Sequence, residues 1–159
     1  IVERPASFQD IEITLDLDRT LPQIWIDADL IKQVIMNMVV NAQHAIENSG
    51  TITVRTRRCP GPVAIESGGR AVPMIEIAVI DNGCGIPQQN LQRIFDPFFT
   101  SKAVGKGTGL GLSVSHGIVR SHGGTIEVES TVGEVATFRI LLPMDPVHPV
   151  ETANAGAAA

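Results

Sequence analysis

Asn37, Asn41 and His44 stand four and three positions apart in the string NMVVNAQHA. That spacing puts all three on one side of a helix. Gln33 extends the stripe one turn back, and Asn48 extends it forward. The other side is aliphatic: Ile31, Val34, Ile35, Met38, Val39, Ala42, Ala45 and Ile46 repeat at helical spacing. A solvated face would carry Lys and Glu throughout, yet Lys32 and Glu47 stand only near the ends. Amides and an imidazole in this pattern suit one of two purposes. They pack on another element through hydrogen bonds, or they offer oxygen to a hard cation such as Mg²⁺, which prefers oxygen and keeps several waters.

Three further strings carry chemistry. In IDNGCGIP, Asp81 sits where an apolar strand meets a glycine turn, and Gly83, Gly85 and Ile86 follow. Glycines there let backbone approach a flat ligand, although Asp-Asn-Gly is also an ordinary turn. In IFDPFFTSK, Phe95, Phe98 and Phe99 concentrate three of the five phenylalanines. They read as the anchor of a loop, or as a small apolar cluster beneath one. Lys102 lies just beyond and can meet a phosphate as a point charge. In KAVGKGTGLGLSVSHGIV, glycines alternate at Gly105, Gly107, Gly109 and Gly111 and run into a helical pattern. This is neither of the common phosphate loops. Lys106 is followed by Gly107 rather than Ser or Thr, and no strand precedes the glycines. Free N–H groups at a helix N-terminus, with the helix dipole, bind anions. Polyphosphate is the natural guest.

The elements that must hold these residues follow from periodicity. Ile11–Leu17 alternates as a half-buried strand does, and Ile24–Asp27 is a second, shorter strand candidate. The long amphipathic helix follows, capped by Asp27 or Asp29 and ended by Gly50. Thr51–Arg57 and Met74–Asp81 are strands, joined by a Pro/Gly-rich surface loop and paired as a hairpin. Beyond a short helix at Gln88–Ile94, the chain to Gly107 has no period. So long an irregular stretch in a compact domain reads as a lid. A second helix places Leu110, Val114, Ile118 and Val119 on one side. TIEVES and VATFRILLP close the fold as two strands around a turn near Gly133. The expected architecture is α+β: a two-layer sandwich with helices on one face of a mixed, mostly antiparallel sheet. It spans residues 1–143, with 144–159 as a flexible tail or linker.

Composition narrows the function classes. The 159 residues carry a net charge of −5, no tyrosine and 4% aromatics. There is no basic stripe for nucleic acid and no platform for stacking bases. No run reaches the roughly 18 apolar residues of a membrane span, and no signal peptide is evident. A cytoplasmic setting and reduced Cys59 and Cys84 are expected. The absence of an initiator Met suggests a piece of a longer protein.

In this order, NMVVNAQHA, DNGCGIP, IFDPFFTSK and GTGLGLSVSHGIVRSHGG, followed by GEVATFRILLP, resemble the N, G1, F and G2 boxes of bacterial sensor histidine kinases. The form is most similar to nitrogen-regulation-type kinases. That ATP-binding module (HATPase_c/GHKL, the Bergerat fold) also occurs in DNA gyrase, Hsp90 and MutL. The resemblance covers about Ile11 to Pro143. It implies that Asn41 coordinates the Mg²⁺ of Mg-ATP, with Asn37 beside it and His44 facing the phosphates. Asp81 would accept a hydrogen bond from the adenine amino group, in a pocket shaped by Gly83, Gly85 and Ile86. Thr137 would help Asp81 hold an adenine-bound water. Gly107, Thr108, Gly109, Leu110 and Gly111 would wrap the phosphates of ATP or ADP, with Lys102 and Lys106 as lid contacts.

One position bears on the reaction. The hydrolases of the superfamily carry a Glu one turn before the metal Asn, as the base that activates water. Here that position is Asn37, which takes no proton. A neutral imidazole is already nucleophilic and needs mainly alignment, so phosphoryl transfer to a histidine is expected rather than hydrolysis. His44, His116, His122 and His148 lack the setting of a phosphoacceptor. The acceptor is expected on an upstream dimerisation domain of a homodimer that serves a response regulator, and the chain alone should bind ATP but be nearly inactive. Alternatives are an anti-sigma-factor-type serine kinase and a non-catalytic nucleotide-binding module.

Overall fold

Met74–Asp81 runs through the middle of the molecule as a strand buried on both faces, which its Val/Ile-rich sequence favours. The computed structural model describes residues 10–64, 71–100 and 108–145. Their elements, in chain order, are β1 (Asp10–Leu17), α1 (Ala28–Ala45), β2 (Ser49–Arg58), β3 (Val63–Ala64), β4 (Ala71–Val72), β5 (Met74–Asp81), α2 (Gln88–Leu91), α3 (Gly111–Ser121), β6 (Thr125–Thr131) and β7 (Val135–Pro143). The main sheet has the order β1-β2-β5-β7-β6, and β3 and β4 form a separate small ladder in the Pro/Gly-rich connection. β1 and β2 are parallel, and the other pairs of the main sheet are antiparallel. The expected two-layer α+β architecture is the one observed.

The two sheet faces differ in chemistry. On the helix side, Ile52, Ile75, Ile77, Val79, Phe138, Ile140 and Leu142 meet Ile31, Val34, Met38 and Ala42 of α1 and Val119 of α3. Fully burying a side chain of this kind contributes roughly 1.5–3 kcal/mol. The other side carries a ladder of charges. Asp16 takes Arg55 at 2.8 Å and Arg57 at 3.2 Å, and Arg139 meets Glu129 at 2.8 Å and Glu76 at 3.5 Å.

Several elements depart from the sequence reading. No strand forms at Ile24–Asp27. Ile24 and Ile26 do pack on the core, but the backbone there is committed to a helix start. The Asp27 side chain accepts from the N–H groups of Asp29 and Leu30, and its own N–H donates to His122 Nε2 at 3.0 Å. α1 ends at Ala45, five residues before Gly50. Ile46 turns to extended backbone and buries its side chain, and Gly50 lies inside β2. β1 alternates as expected, but as an edge strand its apolar side stays open, with Leu15 65% exposed. In α3 the inward residues are Ser115 and Val119, whereas Leu110 and Val114 are exposed.

Candidate functional site

α1 and α3 lie side by side, and a cleft of about 510 Å³ opens between them at the end of β5. That is the size of a small-molecule site. Asn37, Asn41 and His44 line one wall, as their spacing required. Asp81, Gly85 and Ile86 line the base, with Ala136 and Phe138. Thr108, Gly109, Gly111 and Leu112 line the opposite wall, and Phe99 and Thr100 close one side.

Asp81 is 2% exposed at the last position of β5. Burial pushes its carboxyl above the usual range, and the Gly83 N–H, donating at 3.0 Å, pulls partly back. A carboxylate so placed, at the base of an open cleft, suits a ligand that brings a hydrogen-bond donor. The turn after it docks on the end of α1. Cys84 N–H donates to the Ala45 carbonyl at 2.8 Å. A Cβ on Gly83 would lie 2.6 Å from that same oxygen, so glycine is needed for the approach. Asn82 accepts from Thr51 N–H at 2.8 Å, which ties the turn to β2. Gly85, with φ 68°, leans on Thr131.

Across the cleft, Gly109 has φ 65° and its carbonyl accepts from Phe98 N–H at 3.0 Å. Phe98 itself has φ 66°, a conformation that bulky residues rarely adopt. It is 73% exposed, whereas Phe95 and Phe99 pack on the core. Arg93 stacks over Phe99 at 4.8 Å, and Phe95 meets His116 at 5.2 Å. The phenylalanine cluster therefore fastens this segment to the body of the fold. Leu110 is the residue before α3 and does not line the cleft. Gly111 begins α3 beside Asn37.

Thr137 is a correction. It pairs with Ile80, one position off the Asp81–Ala136 pair. Side chains alternate along a strand, so Thr137 projects to the charged face and Ala136 faces the cleft. The hydroxyl on the cleft face is Ser130, opposite Ala136. It accepts from Ile86 N–H at 2.8 Å and donates to the Val135 carbonyl at 2.9 Å, pinning the Ile86 segment. Ser130 and Ser115 carry no motif signal of their own. Register with Asp81 would have pointed to Ser130. Lys102, Lys106 and Gly107 lie outside the described residues, as does His148.

Residues 26–146 match the family described as histidine kinase-, DNA gyrase B- and HSP90-like ATPases. The chain belongs to this family. Among its curated relatives, the sensor kinase CckA of Brucella abortus is 44% identical over 138 residues, covering 85% of this chain and 15% of that protein. The sensor histidine kinase ZraS of Escherichia coli K12 is 41% identical over 145 residues, covering 91% and 28%. The solved catalytic domain of histidine kinase ThkA superposes with a TM-score of 0.68 at 30% identity, covering 86% of this chain and 82% of that one. Within the family, the chain is thus similar to the ATP-binding domains of sensor histidine kinases, and ATP binding is the family role. It spans under a third of the curated relatives named here.

Proposed function

We propose that this chain is the catalytic domain of a two-component sensor histidine kinase. It binds Mg-ATP in the α1–α3 cleft and passes the γ-phosphoryl group to a histidine on a dimerisation domain of the same protein. The bond from the γ-phosphorus to the bridging oxygen breaks, a bond to an imidazole nitrogen forms, and ADP leaves. The observation that carries this reading is the state of Asn37. Its Nδ2 donates to the Gly111 carbonyl at 3.3 Å and to Ser115 Oγ at 3.2 Å. An amide held as a donor accepts no proton from water, so hydrolysis lacks its base while transfer to an imidazole needs only alignment.

Asp81 recognises the adenine amino group, and Gly85 and Ile86 form the wall beside the ring. Thr108, Gly109 and Gly111 lie where the phosphates meet the start of α3. The described residues hold no group of three His, Cys, Asp or Glu that would bind a metal alone. That fits Mg²⁺, which takes one or two protein oxygens and the rest from phosphates and water. Asn41 would be that protein oxygen. Held there, the ion would supply charge neutralisation at the phosphates.

The response regulator and homodimer belong to the same proposal. One solved relative, ThkA, is described in complex with the response regulator TrrA, and another, ShkA, in complex with AMPPNP. No helix among the described residues is long and apolar enough to cross a membrane. The cytoplasm is the setting we propose for this domain because ATP and a response regulator would meet it there.

The test is to incubate the full-length protein with γ-labelled ATP. The expected product is a phosphoprotein whose label is lost in acid and kept in base, as phosphohistidine requires. An acid-stable label would assign a serine kinase instead. Rapid release of inorganic phosphate without labelled protein would assign a hydrolase. The chain of residues 1–159 alone should bind ATP and take up almost no label.

A further inference from the structure

Ser115 is the one fully buried polar residue of α3, with 0% exposure. It does not line the cleft. Its oxygen instead accepts from Asn37 Nδ2, which also donates to the Gly111 carbonyl one turn earlier on the same helix. One amide nitrogen thus bridges the first turn of α3. A buried hydroxyl on an aliphatic helix face would be costly if unmatched. Here it is matched to a side chain of the opposite wall. The space between the walls is bounded by Asn37, Asn41 and His44 on α1, and by Gly111 and Leu112 on α3 with Gly109 just before it. The walls are close at this point: a Cβ at Gly111 would sit 3.8 Å from the Asn37 side chain, an ordinary contact distance.

We propose that Ser115 is a positioning residue. It fixes the Asn37 amide as a clasp across the first turn of α3, and the clasp sets the distance between the two walls of the phosphate end. The inference rests on the nucleotide reading above. Ser115 touches no ligand and acts through Asn37 alone. An apolar residue at 115 would leave Asn37 with only the Gly111 carbonyl and let the turn drift, while the hydrophobic packing of α3 through Val119 stays as it is.

A double-mutant cycle tests this. Mg-ATP affinity is measured by titration calorimetry for the parent chain, Ser115→Ala, Asn37→Ala and the pair, with urea unfolding of each in the absence of nucleotide. Loss of one net hydrogen bond predicts affinity about five- to tenfold weaker for Ser115→Ala. The defining result is that Ser115→Ala has no further effect once Asn37 is alanine. Additive losses overturn the proposal, as does parent-like affinity of Ser115→Ala. So does a change confined to the unfolding midpoint. If the pair does not fold, Ser115→Cys decides. Its thiol keeps the volume but accepts poorly, so weaker binding with unchanged unfolding supports the clasp and parent-like binding overturns it. A parent chain that takes up no Mg-ATP removes the nucleotide reading and the clasp together. A parent that binds beside an indifferent Ser115→Ala removes the clasp alone.

Discussion

α1 carries two stripes, and they are built by different rules. The aliphatic stripe of Ile31, Val34 and Met38 is buried and meets the sheet, and Ala42 carries it to the edge of the cleft. The amide stripe of Asn37, Asn41 and His44 stays partly open and meets the cleft. Hydrophobic burial is non-directional and tolerates exchange of one aliphatic residue for another of like volume. Hydrogen-bonding amides are directional and tolerate none. One helix therefore separates stability from function by angle around its axis.

The separation can be broken at its strongest point first. Met38 has no exposed surface, and Met38→Ala should cost about 2–5 kcal/mol of unfolding free energy in a urea titration. In a nucleotide titration scaled to the folded fraction, affinity should be near that of the parent. A large affinity loss in protein that remains folded would show that the stripes are not separable.

Asp81 joins the two regions, because it is buried like the core and faces the cleft. Its carboxyl is raised above the ordinary value by burial. A group raised in the folded state contributes stability below its unfolded value and loses it as pH rises through the folded value. At neutral pH the buried carboxylate therefore opposes folding. Asp81→Asn should leave the nucleotide-free chain as stable as the parent or more so at pH 7, with the advantage shrinking in acid. The same change should weaken ATP binding about 10- to 100-fold, as expected for a hydrogen bond to a charged group. Unfolding curves between pH 4 and pH 8 with calorimetry at pH 7 read both effects. A destabilised Asp81→Asn at pH 7 would contradict the assignment.

The smallest test compares two glycines on the α3 wall. Gly109 has φ 65° and an added Cβ would strike the Phe98 backbone, whereas at Gly111 nothing lies nearer than 3.8 Å. Gly109→Ala should cost at least about 1–2 kcal/mol. Gly111→Ala should be neutral or stabilising by up to about 1 kcal/mol, since alanine is the better helix former. Thermal unfolding of the two variants side by side separates them. Equal losses would mean the alternating glycines serve the backbone alike.

The sequence made the two stripes of α1 visible because a long run at helical spacing is a local signal, whereas Leu110 and Val114, expected on the inner side of the second helix, are exposed. The β5 strand and the glycine turn after Asp81 were visible for the same local reason. What escaped it depends on register or on partners far along the chain. Thr137 looked like a partner for Asp81, but a one-residue offset in β7 turns a side chain to the other face. Only the pairing Asp81–Ala136 reveals it. Ile24–Asp27 alternated like a strand, and the cap at Asp27, with His122 ninety-five residues away, takes the backbone instead. Ser115 is one of three serines in α3, and what sets it apart is its contact with Asn37, seventy-eight residues earlier.

The central claim is that the amide stripe binds ATP through a metal held by Asn41. Calorimetric titration of ATP into the parent chain and Asn41→Ala, with Mg²⁺ and with EDTA, tests it most directly. The account predicts that the parent binds ATP, that Mg²⁺ tightens binding, and that Asn41→Ala loses most of that tightening while unfolding as the parent does. An Asn41→Ala chain that keeps the full Mg²⁺ increment, or a parent that shows none, would contradict it.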